Sequence, residues 1–398
     1  MKKLLFVTLL IAALVCLLGV GESSDAKDED NGQSSSASGE FGVDDLLDKL
    51  NLSDIQGILN TLSADGIAVF GFSDISSRIR AVANGEYKND FNSIVTYILA
   101  LLGADIFEFL PMLISCIAIV LAYNIVNSVK SKAASEATSK AVYFATGTLT
   151  VTLVVGYFAA TLVYAVKFIS SLKTQINAVA PVLITLMTAA GASSSASVYA
   201  PSIAILSSGM TNVVTYLAFP ALLMAMVFDI IGSVFDSIKL NKTADFLRSA
   251  CKWFLGTAFF LFVTVIGVSG ITASVSDGIS VRAAKFAVSK YVPIIGGYLS
   301  QGFDFVMAGN VLIKNALGSS AVVLVILFAV PVISKLAVFT LTLKLTAAIA
   351  EPLGGDKFCG ILTSISTSSA AMNAVVIAMT FLYILFLSMT IVTGNMAL

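Results

Sequence analysis

The sequence contains no histidine, and charged residues make up only 12% of its 398 residues. Without histidine the chain lacks the commonest zinc ligand and the commonest general base of enzymes. Soluble domains carry about 25% charged residues, so the charged share here is too small to cover a water-exposed surface. A net charge of -1 also provides no strong field that would attract nucleic acid. These shortages argue against a soluble enzyme and against a nucleic-acid-binding protein.

Cysteine and catalytic motifs are scarce as well. The four cysteines, Cys16, Cys116, Cys251 and Cys359, lie far apart and form no CxxC pair. Such spacing fits small buried apolar residues better than a metal centre or a disulfide framework. The sequence also has no phosphate-binding glycine loop, no HExxH and no nucleophile elbow. We therefore predict that the protein is not an enzyme and binds no metal or cofactor.

Hydrophobic residues, in contrast, make up 57% of the chain. Several windows of about 20 residues carry few or no charges, and this is the length that a helix needs to cross the hydrocarbon core. We predict an all-α, polytopic membrane protein with six transmembrane helices. The predicted spans are residues 109–126, 144–166, 203–231, 253–273, 321–341 and 371–392. A shorter apolar run at 178–190 would be re-entrant or would complete a seventh span.

The N-terminal part of the chain has three predicted regions. Residues 1–21 combine a basic start, an apolar run and small residues, which is typical of a signal peptide; an uncleaved first helix is the alternative. Residues 22–42 are acidic and rich in serine and glycine, which indicates a disordered linker. In residues 43–92, leucine and isoleucine recur at intervals of three and four, which predicts two or three short amphipathic helices outside the cytoplasm. The polytopic domain then occupies residues 93–398.

Charge in the loops indicates an orientation. Segment 127–140 carries three lysines against one glutamate, and segment 236–252 carries four cations against two aspartates. Because cytoplasmic loops are enriched in lysine and arginine, both loops are predicted to be cytoplasmic and the N-terminal region extracytoplasmic. The segment 274–318 on the opposite side also holds four cations, which weakens the argument.

The polytopic domain also shows signs of an internal repeat. Shifting the chain by 109 residues places Pro111 on Pro220 and Gly147 on Gly256. Each unit would contain a helix with a central proline, a basic loop and a returning helix. The predicted parallel units are residues 93–201, 202–311 and a partial 312–398. Chance matching in an apolar sequence of low diversity is the alternative.

Segment 280–306 is too charged to cross a bilayer comfortably and too apolar for a solvated loop. On a helical wheel its first cations face away from most of its apolar residues, which predicts a helix lying along the membrane interface. Pro293 would end this helix, and Gly296 and Gly297 would allow a sharp turn. A re-entrant limb packed inside the bundle would follow. The alternative is a simple tether between two spans.

Ionisable residues also lie within or near the predicted spans. Lys335 lies inside the fifth span, Asp105 and Glu108 precede the first, and Asp229 ends the third. Charge within a membrane is costly and usually faces a cavity or a partner. We therefore expect Lys335 to pair with a carboxylate or to snorkel, and we consider it a candidate for a transport pathway.

Several segments resemble the stage III sporulation protein AE family. The resemblance is carried by "SDGISVRAAKFAVSKYVPIIGG" and "LIKNALG", and it extends to "APVLITLMTAAGASSSAS", "CKWFLGT" and "LKLTAAIAEPLGGDK". The residues of these motifs that we take as candidate functional residues, together with Lys335, are Asp277, Gly278, Arg282, Lys285, Pro293, Gly296, Gly297, Lys314 and Asn315.

This resemblance implies a function that composition cannot indicate. It implies a component of a secretion-like channel complex in the outer forespore membrane, made by the mother cell and linking it to the forespore. The implied partners are other stage III sporulation membrane proteins, a cytosolic secretion-type ATPase and ring-forming proteins. The polytopic component would be a candidate membrane export core. A secondary transporter for a small solute and a non-conducting membrane scaffold are the alternatives.

Overall fold

The structure is a computed structural model that describes residues 46–86, 91–130, 136–234, 240–291, 296–353 and 356–393. Two predicted N-terminal regions, the signal peptide at 1–21 and the linker at 22–42, lie outside these residues. Pro293 and Cys16 also lie outside them. The regular structure within the described ranges is helical, as the sequence predicts.

Residues 46–86 form a small helical unit, which we call the cap. Its helices are α1 (Ser53–Leu59), α2 (Ala64–Phe70) and α3 (Ile75–Ala83). Ser63 and Asp74 start α2 and α3, because each side chain accepts the backbone N–H three residues further on. Ile55 and Leu59 on the apolar face of α1 are completely buried in a core that the cap shares with the rest of the protein. The short amphipathic helices expected in this region are therefore present.

Six long helices follow the cap and form a bundle. They are α4 (Phe91–Lys130), α5 (Glu136–Ala189), α6 (Ser193–Val234), α7 (Asn241–Tyr291), α8 (Gly296–Ala350) and α9 (Asp356–Thr393). Within the described residues, six helices are long and apolar enough to cross a membrane, and each contains one of the predicted spans. The six-span prediction is confirmed on these criteria, whereas the internal repeat remains a prediction.

The bundle helices are much longer than a bilayer is thick. Helices α5 and α8 contain 54 and 55 residues, which corresponds to about 80 Å at the rise of an α-helix. The hydrocarbon core of a bilayer is only about 30 Å thick. Part of the bundle must therefore extend beyond the membrane.

The apolar run at 178–190 is not a separate element. Residues up to Ala189 continue α5, and Pro181 lies inside that helix. The neighbouring Ala180 and Leu183 are completely or almost completely buried, so packing on adjacent helices stabilises the turn in which proline removes one backbone hydrogen bond. The expectation of a re-entrant piece or a seventh span was wrong.

Only part of the architecture predicted for segment 280–306 was wrong. Helix α7 ends at Tyr291, shortly before Pro293, as expected, and its position along the membrane interface remains a prediction. The first part of the segment is the end of the continuous helix α7, and Gly296 and Gly297 are the first two residues of α8 instead of a sharp turn. Helix α8 continues without interruption beyond residue 306, and Phe303 and Phe305 are 56% and 58% exposed. A re-entrant limb packed in the bundle is therefore absent. Each of the two helices continues from its long apolar stretch into the polar residues of segment 280–306. This part of each helix can lie outside the bilayer, where polar side chains contact water and cost no free energy.

Helices α8 and α9 form the centre of the bundle. Phe339 and Leu343 on α8 and Met379 and Tyr383 on α9 are completely buried. We call the end of the bundle at residues 190–192, where α5 is followed by α6, the cap end. Helix α9 also ends there, whereas α7 continues to Tyr291 and α8 begins at Gly296. We call residues 280–291 of α7 and 296–306 of α8, which the ion pair of Lys285 and Asp304 joins, the projecting hairpin.

Candidate functional sites

Helix α1 of the cap is seated against three bundle helices. Ile55 and Ile58 of α1 line a cavity of about 10 Å³ together with residues of α5, α8 and α9. A larger open groove of about 620 Å³ lies between α1 and α5. Most of its lining side chains are hydroxyls and amides; its polar members are Ser53, Asp54, Thr61, Ser170, Ser171, Thr174, Gln175 and Asn177. The seam between cap and bundle is therefore polar on its open side.

Gln175 of α5 lies at the junction of this groove and the small cavity. The side chain lines both spaces and the residue is only 3% exposed. Neither its amide oxygen nor its amide nitrogen has a hydrogen-bond partner among the described residues. A buried amide without partners costs free energy, so we consider Gln175 a candidate functional residue. The sequence carried no signal for it beyond a polar residue in an apolar helix.

Helix α6 changes its winding opposite Tyr383. Two π-helical stretches, Ile205–Met210 and Val214–Ala218, flank a short α-helical piece. The Tyr383 hydroxyl lies 3.1 Å from Thr211 Oγ1 and 3.4 Å from the carbonyl oxygen of Leu206. Extra residues per turn are common at functional positions of helices. Here the π-helical turns of α6 place Thr211 and Leu206 within hydrogen-bonding distance of the buried Tyr383 hydroxyl.

An ionisable cluster connects α4 and α8 within the candidate spans Asn92–Val126 and Ser300–Ala350, with its α4 residues just before the narrower predicted span 109–126. Lys335 lies 2.7 Å from Glu108 Oε1 and 2.8 Å from Glu108 Oε2, so the expectation that it pairs with a carboxylate is confirmed. Ser334 Oγ donates to the buried carboxylate of Asp105 at 2.5 Å. The Lys335 ammonium also lies 5.2 Å from the centre of the Tyr164 ring on α5.

A second ionic site joins α6, α7 and α9 towards the opposite end. Arg248 forms an ion pair with the buried Asp229 and contacts Asp245 at 3.0 Å and Ser368 Oγ at 3.4 Å. Arg248 is 5% exposed. In the sequence it counted towards a basic cytoplasmic loop, but in the structure it neutralises a buried aspartate. Its weight in the orientation argument is therefore smaller than expected.

Two residues of the family motifs close the cap end. The carboxylate of Asp277 accepts the backbone N–H groups of Ser194 and Ser195 at 2.7 and 2.9 Å, at the start of α6. The buried Lys314 donates to the carbonyl oxygen of Ile391 at 2.7 Å, in the last turns of α9. An anion at a helix N-terminus and a cation at a C-terminus both complement the helix dipole. These two residues therefore hold helix ends together.

Further hydrogen bonds strengthen this closure. The Tyr199 hydroxyl lies 2.8 Å from Thr393 Oγ1, and Ser274 Oγ donates to the Thr393 carbonyl oxygen at 2.9 Å. Gly278 of α7 is buried. Asn315 is half-buried in α8, and its amide oxygen has no hydrogen-bond partner among the described residues.

The remaining motif residues lie on the projecting hairpin. Lys285 of α7 forms an ion pair with Asp304 of α8 across the hairpin, and Arg282 is exposed. Phe286 and Phe303 are also exposed, at 64% and 56%. The hairpin thus presents aromatic and cationic side chains on its surface.

In the described residues, no group of three or more histidine, cysteine, aspartate or glutamate side chains is placed to hold a metal ion.

The fold and these sites define a helical membrane protein with six candidate spans and an N-terminal cap. The family of stage III sporulation protein AE matches residues 73–394, and the chain belongs to that family.

One relative shows how far this similarity reaches. Stage III sporulation protein AE of Bacillus subtilis (strain 168) is 27% identical over 260 residues, which cover 65% of this chain and 65% of the relative. The alignment thus spans slightly less than two thirds of that protein. No solved structure matches the chain significantly.

Proposed function

We propose that this protein is the membrane export core of a secretion-like channel complex that links mother cell and forespore during sporulation. Family membership and six candidate spans support a sporulation membrane protein. The export role rests on one structural observation, the seat of α1. Helix α1 of the cap and α5 of the bundle line an open polar groove, and Gln175 at the inner edge of this groove has no hydrogen-bond partner among the described residues.

The proposed membrane is the outer forespore membrane, with the cap end on its extracytoplasmic side. The orientation is supported by the lysine-rich segment at 127–140, which lies between α4 and α5 in the chain, because cytoplasmic loops are enriched in lysine and arginine. The lengths of α5 and α8 indicate that part of the bundle extends beyond the bilayer. In this orientation the cap and the projecting hairpin reach into the space between the two membranes. There the hairpin would meet ring-forming partners.

Energy for export would come from a partner, which we propose to be a cytosolic secretion-type ATPase. The sequence offers neither a phosphate-binding loop nor a histidine. We expect the purified chain neither to bind nor to hydrolyse ATP. Equilibrium binding of a fluorescent ATP analogue checks this, and stoichiometric binding would contradict it.

A non-conducting scaffold is the second candidate function. It is favoured by the dense centre of the bundle, where Phe339 and Tyr383 are completely buried, and by the exposed aromatic residues of the hairpin. A secondary transporter has less support, because α8 is continuous where a broken helix was expected. Only the pair of Glu108 and Lys335 still argues for it.

Locking the cap to the bundle separates export core from scaffold. A methyl group added at Gly309 of α8 would lie 3.3 Å from Leu46 of the cap, so cysteines at both positions can be joined by a short thiol cross-linker. Under our proposal, cross-linked Leu46→Cys/Gly309→Cys protein fails to support spore formation, whereas each single variant treated in the same way supports it. Normal spore yield with the cap fully cross-linked would contradict an export path beneath α1.

A further inference from the structure

The cluster of Asp105, Glu108, Ser334 and Lys335 contains two acidic side chains but one basic side chain. Glu108 and Asp105 lie one helical turn apart on α4, and both face α8. Lys335 is the cation of this cluster, and its ammonium group contacts both oxygens of Glu108. Two carboxylates, of which the Glu108 side chain is 48% exposed, therefore lie beside a single ammonium group in the candidate spans.

Asp105 is the carboxylate that remains after Glu108 and Lys335 have paired. It is 8% exposed, and its described contact is with a neutral hydroxyl, Ser334. An ionised Asp105 would leave one net negative charge in a span, which is costly in hydrocarbon. A protonated Asp105 makes the cluster neutral.

The Ser334 hydroxyl can serve both protonation states of Asp105. It can donate a hydrogen bond to the ionised carboxylate, and its oxygen can accept one from the protonated acid. The other titratable side chains that face the cluster are Glu108 on α4 itself, Lys335 on α8 and Tyr164 on α5. The first two are paired with each other, and the tyrosine is neutral at physiological pH.

We propose that Asp105 is a proton-binding site within the membrane and that its protonation controls the contact between α4 and α8. In the protonated state the pair of Glu108 and Lys335 stays undisturbed, as in this structure. When the proton leaves, Asp105 competes with Glu108 for the ammonium group, and the two helices must shift relative to each other. The site does not depend on the export role, and a scaffold or a transporter can possess it equally.

Infrared spectroscopy of the full-length protein in lipid nanodiscs tests the proposal directly. A protonated carboxyl group in an apolar site has a C=O stretching band that ionised carboxylates lack. We expect this band in the wild type at neutral pH, and its loss in Asp105→Asn. Replacement of the exposed carboxyl in Glu86→Gln is the matched control and leaves the band unchanged.

Two further variants keep the test informative if Asp105→Asn folds poorly. Glu108→Gln frees Lys335 for Asp105, which then ionises, so the band disappears although Asp105 is still present. Ser334→Ala removes a hydrogen bond and shifts the frequency of the band without abolishing it. A merely structural role of Asp105 would predict neither change.

Three results would overturn the assignment. One is the absence of the band in wild-type protein at neutral pH. Another is a band that persists in folded Asp105→Asn. The third is a band that sodium displaces at constant pH, because the site would then bind a metal cation in place of a proton.

Discussion

Replacing Arg248 by methionine should destabilise the protein more than any loss of a surface charge. The substitution leaves Asp229, which is 6% exposed, without its cation. Breaking a buried ion pair by removing one partner costs about 3–5 kcal/mol. This corresponds to a change of about two to nearly four orders of magnitude in the folding equilibrium. Asp229→Leu should cost a similar amount, because it leaves the guanidinium group unpaired.

The double variant Arg248→Met/Asp229→Leu separates this effect from lost packing. Apolar replacement of both partners of a buried pair is often neutral, so its cost should be far below the sum of the single variants. Asp245→Asn is the control, because the side chain of Asp245 is 75% exposed and exposed ion pairs contribute about 0–1 kcal/mol. Denaturant titration of the purified protein in detergent gives the free energies of unfolding. Strictly additive costs of the two single variants would refute the ion pair as their cause.

Two other substitutions test the closure of the cap end. Gly270→Ala places a methyl group against the hydroxyl of the buried Tyr199, and we expect the free energy of unfolding to fall by about 1–3 kcal/mol in the same titration. Gly256→Ala is the control, because its methyl group meets no atom within 4 Å and should cost no stability. Asp277→Ala leaves two backbone N–H groups at the start of α6 without acceptors, which costs about 1–3 kcal/mol. Limited proteolysis at residues 190–192 should then become faster, and unchanged cleavage would show that Asp277 does not hold this end.

The spans could be predicted from the sequence because hydrocarbon imposes a simple requirement of length and polarity. The extent of each helix could not be predicted in this way. Lys173 and Gln175 interrupt the apolar pattern, yet they lie in α5, which continues beyond the predicted span. Outside the bilayer a polar residue costs a helix nothing, so the end of an apolar run does not mark the end of the helix.

Proline gave an ambiguous signal for the same reason. Pro181 lies inside α5, where its neighbours pack on other helices, whereas α7 ends at Tyr291, two residues before Pro293 in the chain. A local rule for proline cannot distinguish the two positions, because tertiary packing decides whether a helix continues.

Side-chain partners were predictable only where charge in a membrane demands one. Lys335 was expected to find a carboxylate and it contacts Glu108. The contact of Asp277 with Ser194, 83 residues away, has no local pattern in the sequence. The role of Asp277 as a helix cap therefore emerged from the fold alone.

The reactivity of a cysteine at position 175 tests the export path most directly. In a variant without the native cysteines, Gln175→Cys is compared with Leu172→Cys, which replaces a completely buried side chain one turn away on α5. Membranes from sporulating cells are treated with a small thiol reagent, with and without the partner proteins of the complex. The account predicts that Gln175→Cys becomes reactive when the complex is assembled, while Leu172→Cys stays unreactive. The contradicting result is that both cysteines stay unreactive in an assembled complex that supports spore formation. There would then be no export path beneath the cap.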